Sequence, residues 1–218
     1  MRVASHQPAF LPWAGYWHKV MSVDTFVLQA GVQWAKDGYL NRIRHQGAWL
    51  TLPVDASDTS AINEVTIGHD ARRIEKTWKA VAQVSGPYKK RLEPVLERLR
   101  NVKPGDSLMH LNVALLRCIA REMSFNYRFV LNHYAGSGST KTDRLDSRLR
   151  VAAPHMTSFY MGAGTASYFD PERFARVDCF VQDPYRFAAS SSILQLIAKE
   201  PDPADWIMSQ GVWRKIER

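Results

Sequence analysis

The chain has 218 residues with 29 Lys plus Arg against 21 Asp plus Glu, a formal charge of +8, and a 45% hydrophobic fraction that includes seven Trp, eight Tyr and nine Phe. That much apolar material excludes a disordered chain, and the length suits one core better than two, so a single domain over 1–218 is expected. Two cysteines, no charged stub leading into a cleavable apolar stretch, and no run near the roughly 18 apolar residues of a bilayer span predict a cytoplasmic chain without disulfides and without a membrane partner.

In chain order, Arg2 to Ser5 reads as a strand running into His6-Gln7-Pro8, where Pro8 and Pro12 hold the backbone out of regular structure as far as Trp13. Trp17, Val20 and Met21 recur at helical spacing between Ala14 and Val23, and Thr25 to Leu28 is β-rich, so the chain opens β-loop-α-β and favours a parallel sheet. Leu40 to Arg44, Trp49 to Val54 and Asn63 to Ile67 are further strand candidates, which predicts that the first half carries most of the sheet. Arg72 to Val84, Tyr88 to Asn101 and Ser107 to Met123 are amphipathic helical stretches, giving a basic helical middle section over 70–125. Tyr127 to Asn132 returns to strand, a Gly/Ser loop follows, and Thr142 to Ala152 begins as a helix with a Thr or Asp cap. A strand at Ser158 to Met161, a glycine turn, a helix from Pro171 to Arg176, a strand at Cys179 to Gln182 and a helix from Ser191 to Lys199 resume the alternation. The fold class is therefore α/β, a mostly parallel or mixed sheet flanked by helices.

No Gly-rich phosphate loop, dinucleotide fingerprint, nucleophile elbow or paired-cysteine zinc site occurs, and the spacings of His6 with His18 and of His133 with His155 match no dedicated metal site. No cofactor is expected. His6 and Gln7 stand at a strand end, where α/β folds bind ligands; His6 suits a general base or phosphate ligand and Gln7 an orienting partner, or both belong to a capped turn. Gln33, Asn41, Arg42 and Arg44 form a second polar group, with the two arginines on one face of a strand, suited to a phosphate or carboxylate or to guarding an edge. Lys19 belongs to the same pocket or flanks a helix. Lys141, Asp143 and Arg144 open a helix after the Gly/Ser loop, a natural place for anion-facing amides, although Asp143 also fits a plain cap. Arg72, Arg73, Lys76, Lys79, Lys89 and Lys90, interleaved with Trp78 and Tyr88, are the nucleic-acid candidates, against the alternative of a solvated helix face. Cys118 and Cys179 read as core.

His6-Gln7-Pro8, Leu11-Pro12-Trp13, Gly15-Tyr16, Lys19, Asp24, Phe26-Val27, Val32-Gln33, Asn41-Arg42, Trp49-Leu50-Thr51 and Pro53-Val54 together resemble the opening of WbqC-like proteins. Weaker echoes run through Leu111-Asn112, Thr142-Asp143-Arg144, Tyr160 to Gly164 and Ser191 to Leu194, so the resemblance spans nearly the whole chain. It departs from the family pattern at Ala30-Gly31, where acidic residues usually precede the Val-Gln pair, and no metal or acid role is carried over there. WbqC-like proteins are associated with surface-polysaccharide gene sets, and the resemblance implies a transferase that joins an amino acid or similar amine to an activated acceptor. Related transferases fit bacteriophage DNA hypermodification, in which an amino acid such as glycine displaces phosphate from an activated 5-hydroxymethylpyrimidine. The resemblance then implies DNA and a free amino acid as partners, His6 or Asp143 accepting a proton with Gln7 as the orienting group of the catalytic set, Lys19, Arg42 and Arg44 stabilising the leaving group, and Trp13, Tyr16, Gln33, Asn41, Lys141, Arg144 and Tyr160 around the substrates. The alternatives are the same chemistry on a nucleotide-linked sugar, and a non-catalytic nucleic-acid-binding module.

Overall fold

The computed structural model describes residues 1–36, 38–45, 47–174, 177–183, 187 and 192–217. The chain opens as predicted, with β1 (Arg2–His6), α1 (Ala14–Met21) and β2 (Thr25–Gln29), whose five residues are all buried. Burial on both faces is the mark of an interior parallel strand, and it explains why TFVLQ shows no polar alternation. The strands β3 (Arg42–His45), β4 (Ala48–Thr51), β5 (Val54–Asp55) and β6 (Thr66–Ile67) follow, then the helices α2 (Ala71–Ala82), α3 (Glu93–Arg100) and α4 (Leu108–Glu122). The remainder comprises β7 (Phe129–Asn132), α5 (Lys141–Ala152), β8 (Ser158–Met161), the single turn α6 (Ala163–Ala166), β9 (Asp178–Gln182), α7 (Ile193–Lys199), α8 (Pro203–Gln210) and β10 (Trp213–Lys215).

The main sheet runs β10-β9-β8-β1-β2-β7, parallel except for β10. From β1 the chain steps outward to β2 and β7, then returns to the other side of β1 for β8 and β9. The strand order thus reverses beside β1, and a crevice opens above the carboxyl ends of β1 and β8. Alternate residues serve opposite layers. Val3, Val27 and Phe159 pack with Leu145 and Leu149 of α5, while Ala4, Phe26 and Leu28 pack with Tyr16 and Trp17 of α1 and Ile119 of α4.

The expectation that the first half carries most of the sheet is corrected. Only β1 and β2 of the six strands come from there; β3 with β4 and β5 with β6 are separate two-stranded ladders. Pro53 cannot donate to a ladder, so the Trp49 to Val54 run breaks into β4 and β5. The Asn63 to Ile67 run begins instead as a 3-10 turn at Ile62–Glu64, where the Glu64 carboxylate accepts from the Ala61 amide at 2.8 Å. Tyr88 to Asn101 likewise starts as a 3-10 turn, and Pro94 enters in the first turn of α3. The Pro171 to Arg176 helix is a 3-10 turn over Pro171–Phe174, with Arg176 outside the described residues, as is Ser191 ahead of α7. The sequence carried no signal for α8, which packs against α1, or for β10, which forms one edge of the sheet. Among the described residues no helix is long and apolar enough to cross a membrane.

Candidate functional site

His6 ends β1 at the mouth of the crevice, and the segment after it is held by three independent ties. Asn112, fully buried on α4, donates from Nδ2 to the carbonyls of Pro8 and Leu40 at 2.8 Å each. The Phe10 amide donates to the Tyr39 carbonyl at 2.9 Å. Tyr16, on α1, donates its hydroxyl to the Gln7 carbonyl at 3.3 Å. Leu11 is fully buried at φ 44°, a left-handed conformation that a leucine keeps only when its surroundings enforce it. The two prolines, the buried Phe10 and Leu11 and the Asn112 clasp therefore present His6 and Trp13 from a fixed loop.

One side of His6 faces a cavity of about 570 Å³ lined by Trp13, Lys19, Tyr39, Arg44, Gly162, Thr165 and Gln182, among others. The His6 ring meets Trp13 and Tyr16 edge-on, with centroids at 5.9 and 5.1 Å. Its Nδ1 lies 3.1 Å from the Gln7 carbonyl, an acceptor, so the ring proton sits on Nδ1 and Nε2 is left as an acceptor. Burial, reinforced by the Lys19 charge, lowers the His6 pKa to about 3, so the imidazole is neutral at physiological pH. Lys19 is 3% exposed, and no carboxylate pairs with it among the described residues. Burial lowers its pKa to about 7, which makes it a lysine able to release and take up a proton near neutrality. Glycine at 162 leaves the approach to that amine open; a Cβ there would lie 3.6 Å from Lys19 Nζ.

The other side of His6 faces a second cavity, of about 810 Å³, lined by Gln7, Gln29, Gln33, Lys141, Arg144 and Arg148 among others, and, among the described residues, by no acidic side chain. Thr165 also lines both spaces, so His6 and Thr165 form the wall between an aromatic chamber and a basic one.

The sequence pattern of the WbqC-like protein family matches residues 7–183, a span that takes in the fixed loop and most of the lining of both chambers. The chain belongs to the WbqC-like protein family. That membership is compatible with a transferase. Among curated proteins this WbqC-like chain is similar to the uncharacterized protein Rv1507c of Mycobacterium tuberculosis, 28% identical over a 229-residue alignment that covers 92% of this chain and 96% of the relative. No solved structure gives a significant match.

Within this WbqC-like site, the residues singled out in the sequence separate into groups. His6, Trp13, Lys19 and Arg44 line the aromatic chamber, and His6, Gln7, Gln33, Lys141 and Arg144 line the basic one. Tyr16 supports the loop from beneath. Asn41 is buried and donates to the Leu52 carbonyl at 2.8 Å, bracing the start of the hairpin. Arg42 and Arg44 do share a face, both over the Trp49 ring at 4.2 and 5.1 Å. Trp49 meets Tyr39 at 5.7 Å, and Tyr39 meets Trp13 at 5.0 Å, so a line of rings runs from the chamber to the surface, where Tyr39 is 46% and Trp49 41% exposed.

Asp143 and Tyr160 line neither chamber. Asp143 closes a capping box with Thr140 and takes Arg173 through both carboxylate oxygens, at 2.8 and 3.0 Å, which holds its carboxyl well below the usual carboxylate range. Tyr160 stacks on Phe180 at 4.7 Å on the sheet. His18, paired in sequence reasoning with His6, instead accepts from Gln182 at 2.8 Å through Nδ1 and stacks on Trp213. Among the described residues no group of three or more His, Cys, Asp or Glu converges. The six basic residues from Arg72 to Lys90 are exposed on α2 and the turn before α3, away from both chambers; Arg73 pairs with Asp70 at 3.4 Å and Lys79 with Glu75 at 2.6 Å. Sequence reasoning missed Gln29, Arg148, Thr165 and Gln182; of these only Arg148, spaced four residues after Arg144 on one helix face, carried a readable signal.

Proposed function

We propose that this WbqC-like protein is a transferase that joins an amino acid such as glycine, through its amine, to a phosphate-activated 5-hydroxymethylpyrimidine in DNA, as a step of thymidine hypermodification. The observation that carries the reading is the pair of chambers meeting at His6: an aromatic one containing a buried lysine that no carboxylate pairs with among the described residues, and a basic one whose described lining is free of carboxylates. The pyrimidine occupies the aromatic chamber against Trp13, with its activated methylene toward His6. The amino group attacks that carbon, the C–N bond forms, the C–O bond to phosphate or diphosphate breaks, and the amine gives up a proton. Lys19 in its neutral form is the acceptor of that proton, in preference to His6, whose imidazolium is disfavoured, and to Asp143, which is committed to Arg173. His6 Nε2 orients the amine by accepting one of its hydrogens, and Arg44 lies where it can offset charge on the acceptor.

The ring line Trp13-Tyr39-Trp49 with Arg42 and Arg44 supports a nucleic-acid acceptor, because exposed aromatics and guanidiniums stack on unpaired bases regardless of sequence. α2, with Arg72 and Lys76, packs beside β4 and extends the positive surface from the hairpin. The test is incubation of the pure protein with DNA containing phosphorylated or pyrophosphorylated 5-hydroxymethyluracil and a pool of amino acids, followed by nucleoside mass spectrometry. A gain of one amino acid less water over the 5-hydroxymethyl nucleoside is expected. No gain, with the activated base shown to be present, rejects DNA as the acceptor and transfers the same chemistry to a nucleotide-linked sugar. DNA binding that survives in a His6→Ala variant, with no turnover by the unaltered protein on either acceptor, leaves a binding module.

A further inference from the structure

Gln29 ends β2 beneath the second chamber, 4% exposed, and its Nε2 has no hydrogen-bond partner among the described residues. Its Oε1 is occupied, accepting from Asn132 at 3.4 Å, so the amide has a fixed orientation with donors to spare. Above it, Lys141, Arg144 and Arg148 fall at helix spacings of three and four residues, which sets all three on one face of α5 and along the chamber wall. Arg148 is steadied by donation from Nη1 to the Ala135 carbonyl at 2.9 Å, yet its buried Nε has no partner among the described residues. At the α5 amino terminus, by contrast, the capping box already takes the Thr140 and Asp143 amides. What is left is a polar hollow whose described lining has three cations, an unspent buried amide and no carboxylate.

We propose that this chamber is a diphosphate-binding site, in which Lys141, Arg144 and Arg148 take the phosphoryl oxygens and Gln29 donates from the floor. A buried unpaired donor is costly without an acceptor, and guanidiniums grip phosphoryl groups bidentately, so an oxygen-rich dianion or trianion satisfies what the protein alone does not. A space of about 810 Å³ is far larger than one phosphate needs and admits two phosphoryl groups with room for an attached nucleoside. Its source is either the diphosphate released at His6 or the diphosphate of an incoming nucleotide. Only the first source rests on the transfer reading; the site itself does not.

The experiment is titration calorimetry of the whole protein with inorganic pyrophosphate, orthophosphate and a nucleoside diphosphate. Pyrophosphate is expected to bind at least tenfold more tightly than orthophosphate, and a further gain with the nucleoside diphosphate assigns the site to a nucleotide. Arg148→Met and the exposed Arg144→Ala should each weaken pyrophosphate at least tenfold, the second serving as the variant with least risk to the fold, while Lys19→Met should leave it within threefold. Absence of pyrophosphate binding at millimolar concentration, or equal loss in Lys19→Met, overturns the assignment. Amino-acid turnover that persists in an Arg144→Ala/Arg148→Met double variant rejects the diphosphate released at His6 as the source and assigns the site to an incoming nucleotide, whereas tight pyrophosphate binding without turnover rejects the transferase and leaves the site standing.

Discussion

Replacing Lys19 with methionine keeps the length and apolar stem of the side chain and removes the ammonium. The lysine is 3% exposed, and burial lowers its pKa from 10.5 to about 7. At about 1.36 kcal/mol per pH unit, that difference sets a ceiling of roughly 5 kcal/mol on what charging this side chain costs the folded state. The sign follows from proton counting. Between about pH 7 and 10.5 the unfolded chain holds a proton on Lys19 that the folded chain has lost, so Lys19 makes stability rise with pH across that window; below it the penalty is carried in full. Lys19→Met should therefore be more stable than the unaltered protein at pH 6, by a few kcal/mol within that ceiling, with the gain shrinking steadily toward pH 10. Urea unfolding at pH 6, 8 and 9.5, compared through the midpoint at constant slope, measures it. The same variant should lose nearly all transfer activity. A variant destabilised by a constant amount at every pH would refute the reasoning, because the ammonium would then be compensated in the fold and Lys19 would have no special tendency to give up its proton.

For the unaltered protein, kcat should rise with pH through about 7 as Lys19 becomes neutral, and a flat profile from pH 6 to 8 would remove it as the proton acceptor. Asp143→Asn should leave turnover within twofold, since Asp143 faces Arg173 and the helix cap; loss of turnover at unchanged fold would return it to the reaction. Asn112→Leu leaves the Pro8 and Leu40 carbonyls unpaired and should cost roughly 3 kcal/mol, read by urea unfolding, together with a larger fall in activity than in DNA binding. Trp49→Ala should weaken single-stranded DNA binding by about tenfold, the worth of one stacked base, without altering the melting temperature by more than a few degrees.

The five parallel strands were legible one by one because they are short apolar runs separated by helices, but which strand candidates join the main sheet was not, and β10 went unread. The loop from His6 to Trp13 was legible for a local reason: two prolines and a histidine at a strand end leave little freedom. Registers and long-range partners were not. Pro53 converts one apparent strand into two short ones, and nothing in Asn63 to Ile67 announces a 3-10 turn beginning a residue early. Asp143 illustrates the deeper limit. Its place after a Gly/Ser loop suits a base and a cap equally, and the choice is made by Arg173, thirty residues away, whose guanidinium arrives only through the fold. Gln29 was hidden for the opposite reason, since a glutamine at a strand end says nothing until its amide is found buried and unpartnered.

The stretch from Ala30 to Arg128 departs from β2 and re-enters the sheet at β7, immediately beside it. Ends that lie adjacent tolerate changes of length between them, so the hairpin with Trp49 and the basic α2 can be remodelled while the strands that end at His6, at Gln29 and just before Gly162 stay in register. Three restraints run the other way: Asn112 reaches from that excursion back to Pro8, the Tyr39 carbonyl takes the Phe10 amide, and Ile119 of α4 packs against the sheet. Acceptor choice can thus drift in related chains with little penalty to the reaction centre, provided the segment that reads the acceptor returns a side chain to hold the histidine loop.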